Sequence, residues 1–141
     1  MKKIDLHIHT KKTSSDTNKN FVFSLDVLEK YVEDTNLDAI AITNHNTFDL
    51  KQFEEISNHL DIICFPGVEI DLVNGHILFI TSLDNKKVLH ECCEKLHGHI
   101  TSNSSSISYE EFLEIFPKEL IGNSLLIPHY DKSPNIDMGT I

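Results

Sequence analysis

No stretch of this chain approaches the roughly 18 consecutive apolar residues that a membrane-spanning helix needs, and Lys2, Lys3 and Asp5 are followed by no apolar signal-peptide core. Both absences point to a soluble, cytoplasmic protein with no membrane partner. Cysteine is scarce: Cys64, Cys92 and Cys93 form no paired spacing pattern and two are neighbours, which suits reduced thiols rather than a disulfide framework. Positive charge is scarce as well. Lys and Arg number 12 against 22 Asp and Glu, a formal net charge of -10, so the chain has no electrostatic footprint for tight, sequence-independent nucleic-acid binding. There is no internal repeat. Hydrophobic residues make up 40% and charged residues 24% of the 141 residues, an ordinary globular balance over a length that suits one domain. Histidine is what stands in excess, at nine residues, and imidazole is both the commonest metal ligand and the side chain that titrates near neutrality.

Strand-like and helix-like patterns alternate from the start, the signature of βα units and a largely parallel sheet. Residues 3 to 9 read as a first strand, and Ser24 precedes Leu25, Leu28, Tyr31 and Val32 at helical spacing, predicting a helix to about Thr35. Asp38 to Thr43 suits a buried strand, after which Thr47 is expected to cap a helix carrying Leu50, Phe53, Ile56 and Leu60 on one face. Asp61 to Phe65 reads as a third strand broken by Pro66-Gly67. Val68 to Val73 then runs into Asn74-Gly75, a hairpin signal, before His76 to Thr81. Centring the turn on Asn74-Gly75 pairs Val73 with His76 and leaves Glu69 four residues back, about 13 Å at ~3.3 Å per residue. Val88, Leu89, Cys92, Cys93 and Leu96 repeat at helical spacing, so the vicinal cysteines read as core contacts. Residues 102 to 106 form a serine-rich loop, Ser108 and Glu111 a capping box, and Leu125 to His129 another strand.

Side chains alternate across a strand, so Asp5, His7 and His9 should share one face and Ile4, Leu6 and Ile8 the other. Imidazoles and a carboxylate on the inner side of a covered sheet need partners, and a metal supplies them; an edge strand with a solvated polar face is the plainer alternative. His45 closes the second strand as His9 closes the first, either as a ligand or as a hydrogen-bonded core histidine. Glu69 follows the Pro66-Gly67 turn, where it can bridge two cations, and His129 ends the last strand. In α/β folds, sites form at the carboxyl ends of strands, and those ends gather His7, His9, His45, Glu69 and His129. Such ligation suits zinc, manganese or iron better than calcium or magnesium, and more than four ligands implies more than one metal.

In motif order the chain resembles the PHP superfamily, named for polymerase and histidinol phosphatase. Asp5-Leu6-His7-Ile8-His9-Thr10 with Ser15-Asp16 is similar to its first motif and Ala41-Ile42-Thr43-Asn44-His45-Asn46-Thr47 to its second. Pro66-Gly67-Val68-Glu69 with His76-Ile77-Leu78 is similar to its third, and Pro128-His129 to a later one. The resemblance implies an α/β fold, a distorted (β/α)7 barrel holding up to three metals, and hydrolysis of phosphomonoesters or phosphodiesters, a nucleotide or nucleic-acid end among the candidate substrates. It implies that His7 and His9 bind one metal, that Glu69 bridges to a second held by His129 and joined by His76, and that Asp16 and His45 serve a third. Zinc or manganese, with iron as a further candidate, would be the cofactors.

The chain departs from the family in three ways. Asn44 stands where the family usually has aspartate, the late Asp-x-His pair that closes the family site is missing, and about five strands can be counted where seven are expected. The expectation is that residues 1–141 are a carboxyl-terminally incomplete PHP-like domain, finished by a downstream region or a partner chain. Thr43-Asn44-His45-Asn46 and Ile127-Pro128-His129-Tyr130-Asp131-Lys132 resemble most the PHP segment fused to an ATPase in some bacterial phage-defence proteins. A bound cation lowers the pKa of its water toward about 7 and a metal pair stabilises attacking and leaving oxygens, so hydroxide would attack phosphorus, with His129 or Asp131 as proton donor to the leaving group. Lys11, Lys12 and Lys19 either attract the phosphate or form a solvated charged loop. Hydrolysis of a carbon centre, as in amidohydrolases, and a binding or regulatory module without catalysis are the competing readings.

Overall fold

The computed structural model describes residues 2–11, 23–100 and 106–129, with His129 described by its backbone alone. Strand β1 (Ile4–Ile8) leads through helix α1 (Leu25–Thr35) to β2 (Ala39–Ile42), and helix α2 (Leu50–His59) leads on to β3 (Ile63–Leu72). A hairpin then gives β4 (Gly75–Ile80), followed by α3 (Lys86–His99), α4 (Tyr109–Ile115), α5 (Lys118–Gly122) and β5 (Leu125–His129). The strands form one curled five-stranded sheet in the order β1-β2-β3-β4-β5, and the fold is mixed α/β. No helix among the described residues is long and apolar enough to cross a membrane.

The first three strands are parallel and the last two antiparallel to their neighbours, and β3 makes the change. Residues Ile63 to Pro66 pair with β2, and Gly67 to Leu72 pair with β4. The expected break at Pro66-Gly67 is therefore a handover within one continuous strand. Pro66 has no N–H to donate, and its carbonyl accepts from the Thr81 N–H at 3.0 Å. Gly67 lets its neighbours close in: a Cβ there would lie 2.9 Å from the Phe79 carbonyl oxygen and 2.9 Å from Thr43 Cγ2.

The helices pack on one face of the sheet. Val68, Ile70 and Leu72 of β3 and Ile77 and Phe79 of β4 join Phe53 and Ile56 of α2, Leu89, Cys92, Cys93 and Leu96 of α3, and Phe112 and Ile115 of α4 in the main core. The vicinal cysteines are thus core residues, as their helical spacing predicts, and burial pushes the Cys64 thiol up to about 11 and Cys93 further. The alternate residues face the other way, where Ala41, Leu78 and Ile80 form a second apolar cluster joined by Leu6, Phe65 and Ile127.

Local signals hold at α1, which Ser24 caps, and at α4, where Ser108 and Glu111 make the expected capping box. Helix α2 starts later than the sequence suggests. Asp49, not Thr47, is its N-cap, accepting from the Gln52 N–H at 3.0 Å. Phe48 is buried just before the cap and meets Phe53 with ring centroids 5.3 Å apart, a hydrophobic staple that fixes where the helix begins. Helix α5, five residues after Pro117, is too short to show a period and was not anticipated.

Candidate metal centre

Strand β1 does not alternate simply. Its register against β2 runs Ile4 to Ala39 and Asp5 to Ile40, then Ile8 to Ile42, so β1 carries one residue more than β2 across this step, a bulge that reverses the phase of the side chains. The expectation that Asp5 shares a face with His7 and His9 is corrected by this. Asp5 turns to α1, accepting from the Tyr31 hydroxyl at 2.6 Å and from the His7 N–H at 3.0 Å, while Leu6 joins the second apolar cluster. His7 and His9 point to Glu69.

Glu69 is the hub. It is 1% exposed, and its Oε1 lies 2.8 Å from His7 Nε2 and 2.8 Å from His9 Nε2, which are themselves 3.1 Å apart. His45 Nε2 stands 3.5 Å from the same oxygen, and His76 Nδ1 stands 3.6 Å from Oε2. Burial alone would raise the Glu69 pKa, but hydrogen bonds from His7 and His9 and the charges of His45 and His7 outweigh it and hold the carboxyl well below the usual glutamate range.

The loop after β2 delivers His45. Beyond Ile42 the chain stays beside β3: the Glu69 N–H donates to the Asn44 carbonyl and the Asn46 N–H to the Glu69 carbonyl, both at 2.8 Å, making a single parallel bridge between His45 and Glu69. Asn44 ties this loop to the end of β1, its Oδ1 accepting from the Thr10 and Lys11 N–H groups at 2.7 and 2.9 Å and its Nδ2 donating to Thr10 Oγ1 at 3.1 Å. A buried side chain that must both accept and donate is an amide. An aspartate here would lose the donor, which gives Asn44 a physical reason of its own.

The hairpin turn sits one residue earlier than expected, which moves the partner of His76 by two. Leu72 pairs with Gly75 and Asp71 with His76, so Val73 and Asn74 form the turn and Gly75, at φ 144°, opens β4. The cause is a contact far along the chain, since Ile107 donates to the Asp71 carbonyl and its own carbonyl accepts from the Val73 N–H, both at 3.0 Å. His76 is therefore close to Glu69, not about 13 Å away. Asp71, which sequence reasoning passed over, faces it: Asp71 Oδ1 accepts from His76 Nδ1 at 2.6 Å and from His45 Nδ1 at 3.0 Å. The signal was the two-residue spacing of Glu69 and Asp71, which places both on one face.

Two groups of candidate ligands result, His7, His9 and Glu69 in one and His45, Glu69, Asp71 and His76 in the other, with ligand atoms within 4.8 Å of one another in each. The rings of His9 and His45 meet at 4.7 Å between centroids, so the groups adjoin and Glu69 belongs to both. The residues fit a metal ion: two imidazole nitrogens at mutual contact, both turned to one carboxylate oxygen, can converge on a single cation.

The remaining candidates are placed as follows. His129 lies in β5 at the register position across from His76, but its side chain, with Asp16, Lys12, Lys19 and Asp131, lies outside the described residues. Lys11 is turned to Asp49, Nζ to Oδ2 at 3.0 Å. No protein-family model matches the chain, and no curated protein matches it.

Proposed function

We propose that this chain is a metal-dependent phosphoesterase of the PHP kind, and that its curled sheet is the amino-terminal part of a (β/α)7 barrel. One observation carries the reading: a buried carboxylate, Glu69, is shared by two adjoining groups of imidazoles at the carboxyl ends of β1 and β2 and on the facing strand β4. His7 and His9 would hold one cation with Glu69, and His45 and His76 a second, with His129 the further candidate on β5. Divalent cations held there would supply a water of lowered pKa, toward about 7, and would neutralise charge on a phosphoryl group.

The chain's own residues supply the setting. Glu69 stays ionised against its burial, Asn44 keeps the His45 loop against the end of β1, and the cluster of Ala41, Leu78 and Ile80 gives the site an apolar floor. A net charge of -10 repels a phosphate ester from the surface at large, so local cations are what would draw it in. His129 or Asp131 remains the candidate proton donor to the leaving group.

The test is turnover by protein reconstituted with manganese or zinc, using aryl phosphate monoesters and diesters beside aryl carboxylic esters and amides. The expected result is hydrolysis of a phosphate ester that stops on chelation and is inhibited by inorganic phosphate. Turnover of the carbon esters or amides alone would replace this reading with an amidohydrolase-type one, and no turnover with metal bound would leave a binding module.

A further inference from the structure

The Asn46 side chain makes two bonds to one residue. Its Nδ2 donates to Asp71 Oδ2 at 3.1 Å while its Oδ1 accepts from the Asp71 N–H at 2.9 Å. Both residues are buried, Asn46 at 6% and Asp71 at 5% exposure. Asn46 itself is fixed. It adopts φ 55°, a left-handed conformation that asparagine tolerates better than most residues. Its N–H donates to the Glu69 carbonyl at 2.8 Å, and its carbonyl accepts from His97 Nε2 of α3 at 3.1 Å.

Asp71 transmits this rigidity to the histidines. A carboxylate oxygen accepts, so the His45 Nδ1 that faces Asp71 Oδ1 at 3.0 Å carries a proton, and in the neutral ring Nε2 then carries the lone pair. That Nε2 is the atom turned toward Glu69 Oε1, at 3.5 Å. The order Asp71, His45 Nδ1, His45 Nε2, Glu69 is that of a carboxylate held behind a ligating imidazole, which sets both tautomer and orientation.

We propose that Asp71, locked by Asn46, is a positioning residue that fixes His45 as its Nδ1–H tautomer and aims Nε2 at the Glu69 centre, rather than being itself a metal ligand. The inference rests on the metal reading above but concerns the chain without metal. Its test uses the full chain. Histidine tautomers are read by long-range ¹⁵N NMR on the metal-free protein, and zinc affinity is measured by competition with a chromophoric chelator.

With its ring neutral, the wild-type His45 is expected to be the Nδ1–H form. Asp71→Ala should shift it toward the Nε2–H form and weaken zinc about 10- to 100-fold. Asp71→Asn keeps an acceptor and should retain the tautomer and lose less affinity. Should Asp71→Ala fail to fold, Asn46→Gly serves, because glycine keeps the left-handed backbone and removes the amide; it should move tautomer and affinity in the same direction. An unchanged His45 tautomer in these variants overturns the proposal. So does Asp71→Asn that retains the tautomer yet weakens zinc as much as alanine does, which is the mark of a direct ligand. A wild-type chain that binds no zinc would sink the metal reading instead, and the tautomer would still decide this one.

Discussion

Glu69→Gln is expected to remove metal-dependent phosphoester hydrolysis while leaving the chain folded at neutral pH. The amide keeps the shape of the carboxylate at a position 1% exposed, but it removes the charge that His7, His9 and His45 surround and turns one of the two oxygens into a donor. A shared ligand lost from both groups should lower turnover by at least ~10²- to 10³-fold, the scale of removing one preorganised electrostatic contact in an active site. The same substitution carries a signature in acid. The Glu69 pKa is depressed in the folded chain, so the stability it contributes is present above the ordinary glutamate value of about 4.3 and is lost as pH falls through the folded value. Melts of the metal-free protein from neutral pH downward should show the wild type losing stability below about pH 4.3 by a component that Glu69→Gln lacks. Equal turnover in the two proteins would remove Glu69 from the centre of the account.

Gly67→Ala is expected to be the most destabilising small substitution in the sheet. A Cβ would meet the Phe79 carbonyl oxygen at 2.9 Å, Thr43 Cγ2 at 2.9 Å and the Ile42 carbonyl oxygen at 3.1 Å. Two of these are backbone atoms held in the strands that flank β3 on either side, so the strands must part. Overpacking of this kind costs ~1–3 kcal/mol and occasionally more. Because Glu69 lies two residues further on the same face, a shift of β3 should also weaken metal binding. Gly98 is the control: nothing lies within 4 Å of a Cβ there, and it sits inside α3, where alanine is favoured over glycine by roughly 0.5–1 kcal/mol. Denaturant midpoints that move down for Gly67→Ala and hold or rise for Gly98→Ala would support this view of β3. Similar midpoints for both would contradict it.

Much of the order of elements was legible because its signals are local. Ser24 caps α1, Ser108 and Glu111 box the start of α4, and the cysteines of α3 follow a helical period. His7, His9, His45 and Glu69 could be read as neighbours because residues at the carboxyl ends of adjacent strands converge whatever the details of packing. What escaped depended on contacts distant in sequence. The β1 bulge that turns Asp5 away from His7 has no mark in Asp5-Leu6-His7-Ile8. The hairpin turn moved by one because Asn74-Gly75 is a turn signal in isolation, whereas Ile107 takes the backbone of Asp71 and Val73 and sets the register. Moving the turn back by one residue changes the partner of His76 from Val73 to Asp71, which keeps its face but brings it two residues nearer to Glu69 along β3. Phe48 delayed α2 by burial, beyond the reach of a capping rule applied to Thr47 alone.

Metal content is the most direct measurement of the Glu69 centre. Protein expressed without chelator, reconstituted with zinc or manganese and freed of excess ion, should retain at least one metal ion per chain by elemental analysis. The double replacement of His7 and His9 by alanine should abolish retention, while His59→Ala should not, since His59 lies on α2 and pairs with Glu29 at 2.7 Å. A wild-type chain that retains no transition metal, or a double variant that retains as much as the wild type, would contradict the account.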